Sequence, residues 1–399
     1  MSMNVLFVAS EMAPFIKTGG LGDVVGALPK SLVQEGVVVK VIIPLYSAID
    51  YQKYRLYKIM EGNCVEMGNC HEFFCVHQSN YIPNIDVYFV EFNKYFDRNG
   101  VYDDRWNHVA FQDNAYRYAF FCRAALQVAR DLRFQPDVVH LHDWQTALIP
   151  YYIKHEHDPF FARTKTLLTI HNLPYQGRFG ADVVPYAKID WCDFNPNAFE
   201  DYGGINFLKG GLRFADKLNT VSPNYAREIL TPEFGAGLDW ILRERQADLT
   251  GILNGIDTQL WNPSKDLIIP EKYSVENVLA GKQKNKEELV RRTGLNSVSQ
   301  PIFGMVSQTY GALPIARATG GLDDTVNNYN EYYGVGTGFK FRDISSSALY
   351  NTIGWANATY YDRPSHIRMM RSLAMKKNYS WSKSSLDYKQ LYQKMSGGN

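Results

Sequence analysis

Short apolar runs, each followed by a longer amphipathic stretch, recur from Asn4 to Asn254. Asn4–Ser10 (NVLFVAS) predicts a buried strand, Leu21–Gly36 a helix stopped at Gly36, and Val37–Pro44 (VVVKVIIP) a second strand. Further strands are predicted at Ile85–Glu91, Asp137–His142, Thr164–His171, Lys217–Ser222 and Gly251–Asn254. Helical patterns lie between them, notably over Phe111–Leu132 and Trp144–His155. A strand that is apolar along its whole length needs cover on both faces, and intervening helices supply it. The pattern predicts a doubly wound α/β domain on a parallel sheet. Ligands of such sheets bind beyond the carboxyl ends of the strands, around the point where strand order reverses.

The pattern breaks at Asp257–Pro270 (DTQLWNPSKDLIIP), which carries two prolines and no periodicity. This stretch reads as the exit from a first domain, giving expected domains at 1–257 and 258–396. A charged helix, Glu271–Thr293, then leads to a strand at Pro301–Ser307 (PIFGMVS). Thr309–Val326 reads as strand, glycine turn and helix, and helical stretches near Ser345–Lys377 and Ser382–Met395 close the chain. A chain of 399 residues suits two domains, each with its own core. Lys+Arg total 42 against 41 Asp+Glu, so no polyanion-binding surface and no nucleic-acid partner is expected. Cys64, Cys70, Cys75, Cys122 and Cys192 form no C-x-x-C pair, and an odd, scattered set fits a reducing compartment. The first residues lack a basic leader region, and no apolar stretch reaches membrane-span length. The expectation is a cytoplasmic protein with no membrane partner.

Between the first predicted strand and helix stands SEMAPFIKTGGLGDVV, Ser10–Val25. Glycines at 19, 20 and 22 let backbone approach a ligand closely, and they precede a helix N-terminus, where free N–H groups favour an anion. Lys17 adds a positive charge and Asp23 a negative one. The spacing Gly20-x-Gly22-x-x-x-Gly26 is not the dinucleotide pattern, and the second strand lacks a ribose-binding acid at its end. No Gly-Lys-Ser/Thr follows, so it is not a Walker loop. Read alone, the loop either meets a ligand or permits tight packing.

Three other strand ends deliver polar groups to the same edge: His142 and Asp143 in VVHLHDW, His171 and Asn172 in LTIHNLPYQG, and Asn254 and Asp257 in GILNGID. One such residue could be a turn former or helix cap; three strand ends together read as a cleft lining. His140-x-His142 has alternate-residue spacing suited to zinc, but no third ligand lies nearby and no metal is expected. No Ser-His-Asp or Cys-His arrangement has a recognisable local context.

With these residues in hand, the sequence resembles bacterial glycogen synthases and plant starch synthases. The resemblance rests on Lys17-Thr-Gly-Gly-Leu-Gly-Asp23, His142-Asp-Trp, Ile170-His-Asn-Leu-Pro-Tyr-Gln-Gly177, Val221-Ser-Pro, Ile252-Leu-Asn-Gly-Ile-Asp257, Leu313-Pro-Ile-Ala-Arg-Ala-Thr-Gly-Gly321 and Tyr379-Ser-Trp381. It implies an α/β protein of two Rossmann-like doubly wound domains facing across a cleft, the GT-B type. It also implies transfer of glucose from ADP-glucose to the non-reducing end of an α-1,4-glucan with retention, using no metal or redox cofactor. By the same resemblance, Lys17, Gly19, Gly20, Asp23, Asn254, Thr319, Gly320 and Gly321 bind substrate, and His171 and Asp143 are the catalytic candidates.

The second half departs from that family. Its members follow the strand matching Ile302–Ser307 with an Arg and a Lys that clamp the leaving diphosphate, and later carry an E-P-C-G-L-T-Q segment with a required glutamate. Here Ser307 is followed by Gln308-Thr309-Tyr310-Gly311, and no Glu-Pro-Cys or Glu-Pro-Ser occurs downstream. The second domain is therefore expected to be incomplete, with fewer strands than an ordinary sheet of roughly 5–6. Little or no transferase activity is expected. The alternative is a non-catalytic remnant that binds glucan or sugar nucleotide through its first domain.

Overall fold

A computed structural model describes residues 3–295, 300–302 and 308–397. The chain forms two compact units: Met1–Val221 with Ala226–Asn254 and Ser382–Asn399, and Ser222–Tyr225 with Gly255–Trp381. The first unit is built on β1 (Asn4–Val8), β2 (Val38–Pro44), β3 (Tyr57–Met67), β4 (Cys70–Ser79), β5 (Asp86–Glu91), β6 (Val138–His142) and β7 (Lys165–Ile170). A small antiparallel sheet of β8 (Arg178–Phe179), β9 (Glu200–Asp201) and β10 (Gly204–Asn206) follows, then β11 (Lys217–Thr220) and β12 (Leu249–Gly251). Among the described residues the main sheet has nine strands in the order β12-β11-β7-β6-β1-β2-β5-β4-β3. Every pairing from β12 through β5 is parallel, as the unbroken apolar runs require.

Burial explains that composition. Val5, Leu6, Phe7 and Val8 of β1, Val41, Ile42 and Ile43 of β2, and Leu167, Leu168 and Ile170 of β7 are all fully buried. Each such side chain contributes about 1.5–3 kcal/mol relative to leaving it exposed. The parallel strands fall within a few residues of their predicted positions. The last is displaced, at Leu249–Gly251 rather than Gly251–Asn254. The predicted helix over Trp144–His155 is a short turn at Trp144–Thr146 followed by Ile149–His155, with Pro150 in its first turn. The β3–β4 hairpin was not predicted. Its strands mix exposed, half-buried and buried positions without a regular period and carry few β-branched residues. The chain reverses between them at Gly68, whose φ of 57° favours glycine.

In the second unit the described residues show a two-stranded parallel sheet, β13 (Ile315–Arg317) with β14 (Phe339–Phe341). Of the predicted strand Pro301–Ser307, residues 303–307 lie outside the described residues. The predicted helix from Glu271 starts only at Val278, because the preceding residues turn instead: Ser274 N–H donates to Asn277 Oδ1 (2.7 Å). The stretch near Ser345–Lys377 is two helices, Ser346–Asp362 and Pro364–Lys376, divided where Pro364 opens the second. Tyr329, Phe339, Ala356, Ile367 and Met370 form a small core around β14.

Both closing helices are expected in the second domain, whereas Ser382–Asn399 lies with the first unit. The helix Trp381–Met395 is fastened there by Tyr388 Oη on Asn219 Oδ1 (2.8 Å), Tyr392 Oη beside His140 Nδ1 (2.7 Å) and Ser385 beside Ser31 (2.8 Å). Among the described residues no helix is long and apolar enough to cross a membrane.

Candidate functional site

Strand order reverses at β1, whose neighbours are β2 and β6. The residues just beyond β1, Ser10 and Glu11, are buried. Glu11 organises the glycine loop. Its carboxylate accepts the Thr18 backbone N–H, the Thr18 hydroxyl (2.8 Å) and, more weakly, the Gly19 N–H (3.3 Å). Tyr102 Oη donates to the same carboxylate (2.5 Å), so Ser10 Oγ, 2.6 Å away, donates to Tyr102. Burial, with the Glu11 charge adding to it, holds the Tyr102 phenol well above its usual range and keeps it a donor. Glu11 was not singled out from the sequence. One carboxylate after a strand has no signature, and its partners lie up to 91 residues away.

The helix Gly20–Gln34 begins directly after this loop and has no side-chain cap at Gly19, so its first-turn N–H groups are left for another acceptor. The glycines divide by what a Cβ would meet. At Gly26 it would lie 2.6 Å from the Ala13 carbonyl oxygen, and at Gly22 3.3 Å from Glu11 Oε2; at Gly19 and Gly20 it would meet nothing within 4 Å. Packing therefore accounts for Gly26 and leaves Gly19 and Gly20 bare towards open space. Lys17 Nζ rests on Asp23 Oδ2 at 2.6 Å with both side chains about half exposed. An exposed pair of this kind contributes little stability, and Lys17 can exchange Asp23 for a more highly charged anion.

The β6 and β7 ends form the second cluster. Pairing of His142 with Thr169 sets Asp143 beside His171. Asp143 takes a left-handed φ of 56°, its N–H donates to the Thr169 carbonyl (2.9 Å), and its Oδ1 accepts the His171 N–H (2.7 Å). His142 Nδ1 lies 3.0 Å from His171 Nε2. Burial raises the Asp143 carboxyl to about 7, although N–H groups of His171 and Asn172 favour its ionised form; the Glu11 charge adds a smaller push upward. Burial lowers His171 to about 4 and drives His140 and His142 well below the usual imidazole range. His142 Nε2 and Asn254 Oδ1 are buried without a hydrogen-bond partner among the described residues. Asn254 itself follows β12, with its N–H on the Val221 carbonyl (3.3 Å).

His140 stands apart from this chemistry: its Nε2 meets Thr169 Oγ1 and its Nδ1 meets Tyr392 Oη, each at 2.7 Å. Its role is packing under the C-terminal helix. Thus Lys17, Gly19, Gly20, Asp23, Asp143, His171 and Asn254 all lie along the carboxyl edge of one sheet. Thr319, Gly320 and Gly321 belong to the second unit, where they open the helix Gly320–Thr325.

The lowered imidazoles, buried His140 and His142 and half-buried His171, fix a pH dependence. A group whose folded pKa is lowered binds fewer protons folded than unfolded between its two pKa values, so stability rises with pH there. His171 alone contributes roughly 3 kcal/mol as pH rises from about 4 to 6.5. Asp143, raised from 3.8 to about 7, acts oppositely: its contribution is complete below 3.8 and is lost as pH rises through 7. From pH 4 to 6.5 the Asp143 loss nearly cancels the His171 gain, and the lowered His140 and His142 leave urea midpoints rising, more steeply in D143N than in wild type. Parallel curves for the two proteins would show that Asp143 does not titrate in this range.

A family model described as starch synthase catalytic domain matches residues 4–244. The glycogen synthase of Treponema denticola is 35% identical over an aligned span of 485 residues covering 98% of each chain. Glycogen synthase 1 of Geobacter metallireducens is 36% identical over 98% of this chain and 95% of its own. The 485-residue span exceeds the 399 residues present here, so the Treponema protein carries residues with no counterpart in this chain. Among solved structures, the catalytic domain of starch synthase IV from Arabidopsis thaliana, bound to ADP and acarbose, matches with a TM-score of 0.87. Its sequence identity is 24%, over 99% of this chain and 100% of that one. Sucrose-phosphate synthase from Thermosynechococcus elongatus matches more distantly, with a TM-score of 0.54 at 14% identity over the full length of both chains.

Proposed function

The chain belongs to the glycogen and starch synthase family of glycosyltransferases, and on that premise we propose that its first unit binds ADP-glucose as the donor half of an α-1,4-glucan synthase site. The observation that carries this reading is the glycine loop: a buried carboxylate fixes its backbone while Gly19 and Gly20 stay bare at a helix N-terminus. That arrangement suits a diphosphate, with Lys17 leaving Asp23 to meet it. ADP in the Arabidopsis starch synthase structure supports the adenine nucleotide.

In this reading Asp143, His171 and Asn254 hold the donor glucose, and Thr319, Gly320 and Gly321 bind substrate as part of the second unit. His171, kept neutral by burial, can hydrogen-bond a sugar hydroxyl without adding a competing charge. The bond from glucose C1 to the diphosphate breaks, and a bond from C1 to the acceptor's terminal 4-hydroxyl oxygen forms with the same anomeric configuration. The acceptor's proton leaves with the departing phosphate or to solvent. We assign no metal or redox cofactor to the site.

A second reading is favoured by the short chain: a remnant that binds these ligands without turning them over. Calorimetric titration with ADP-glucose and with maltoheptaose, beside a turnover assay, separates the two. Saturable ADP-glucose binding that weakens about tenfold or more in K17A is the expected result. Failure of the wild-type chain to bind ADP-glucose would overturn the proposal.

A further inference from the structure

Trp106 is the most exposed of the seven tryptophans, at 86%. It stands on a closely hydrogen-bonded turn. Asp103 and Ala110 bridge its base, Asp104 N–H donates to the Val109 carbonyl (3.0 Å), and His108 N–H returns to the Asp104 carbonyl (2.9 Å). Asp104 Oδ1 accepts the N–H of Trp106 (2.8 Å) and of Asn107 (3.3 Å). Arg105 N–H is tied to the Asn99 carbonyl (3.0 Å). A turn this well bonded presents its indole to water although burying an aromatic ring of that size is strongly favourable.

The turn is rooted in the donor site. Tyr102, four residues before Trp106, is the residue whose hydroxyl holds Glu11, and Glu11 fixes Thr18 and Gly19. Four residues of chain span at most about 14 Å between Cα atoms, so the turn that carries the indole is rooted in the support of that loop. On its turn Asp103 and Asp104 outnumber the one full cation, Arg105, which argues against the nucleotide as the ring's partner and for a neutral one. The neutral reactant of the proposed reaction is the glucan. Its pyranose rings have apolar C–H faces that stack on an aromatic ring, and rims of hydroxyls that polar neighbours can bind.

We propose that Trp106 is an acceptor-binding residue, stacking a glucose unit of the α-1,4-glucan beside the glycine loop. This rests on the glucan synthase reading above, and the test keeps the two separable. Maltoheptaose and ADP-glucose are titrated separately into wild type, W106A and W106F, with circular dichroism confirming that the variants fold. W106A should bind maltoheptaose at least tenfold more weakly and ADP-glucose unchanged, while W106F stays within about threefold of wild type for both. Equal maltoheptaose affinity in wild type and W106A, with ADP-glucose still bound, overturns the role of Trp106 and leaves the donor reading standing. A wild-type chain that binds neither ligand overturns both. Loss of ADP-glucose affinity in W106A, with maltoheptaose unaffected, would move the ring to the nucleotide and also overturn the proposal.

Discussion

Glucose incorporation from ADP-glucose into glycogen should run at least about 10²–10³-fold more slowly in this chain than in the Treponema denticola glycogen synthase assayed beside it. Cleavage of the donor builds negative charge on a diphosphate, and only preorganised cations and dipoles stabilise it at the moment of reaction. In the proposed donor site the first unit supplies one lysine and one helix N-terminus. By the resemblance, the family's arginine and lysine follow the strand matching Ile302–Ser307. Here that position holds Gln308, Thr309 and Tyr310, none of them cationic. Two of these side chains are committed within their own unit. Gln308 donates to the Thr337 carbonyl (3.0 Å) and accepts from Tyr379 Oη (2.6 Å), and Tyr310 Oη donates to Asp266 (2.7 Å). Loss of one oxyanion donor slows an enzyme about 10²–10³-fold, and the resemblance implies that two full charges and a glutamate are missing here. Radiolabelled glucose incorporation, with ADP release followed in parallel, measures the ratio. A rate within tenfold of the Treponema enzyme would show that other groups replace the clamp.

The parts of this fold that could be read in the sequence are those whose physics is local. A parallel strand buried on both faces is mostly apolar, so β1, β2 and β7 are visible as runs and β6 as one interrupted by His140 and His142, and the residue after each is at the carboxyl edge by construction. Position puts Asp143 and His171 at that edge together with His142, Asn172, Asn254 and Asp257, and only the resemblance singles the two out as catalytic candidates. The β3–β4 hairpin lacked such a signal, because its half-exposed strands tolerate mixed composition. Glu11 was hidden for a different reason. Its importance lies in bonds to Thr18, Gly19 and Tyr102, and no pattern of spacing encodes a contact across 91 residues. The closing helix is similar: amphipathic periodicity shows that Trp381–Met395 has an apolar face, but not that Tyr388 and Tyr392 carry that face back to Asn219 and His140. The division of labour among the glycines was likewise closed to the sequence, where Gly19, Gly20, Gly22 and Gly26 look alike.

That division makes the sharpest mutational contrast. Gly20→Val should weaken ADP-glucose binding about 100-fold while leaving the melting temperature nearly unchanged. The added side chain meets no protein atom within 4 Å at its Cβ, so the fold loses little. In the proposed site it would occupy the space between backbone and diphosphate, and losing about 2.8 kcal/mol of contact weakens binding about 100-fold. Gly26→Ala should behave oppositely. Its Cβ would lie 2.6 Å from the Ala13 carbonyl oxygen and 2.9 Å from Ala13 Cβ, so backbone must yield. Overpacking of that kind costs about 1–3 kcal/mol and should lower the melting temperature by several degrees. The Ala13 N–H holds the Gly22 carbonyl (2.9 Å), so some of this strain reaches the loop, and a donor affinity reduced by only a few fold is expected. Thermal melts and ADP-glucose titrations on the two variants measure both quantities. If Gly20→Val lowers the melting temperature and leaves ADP-glucose binding intact, the bare glycines serve the fold, and the donor site must be sought elsewhere.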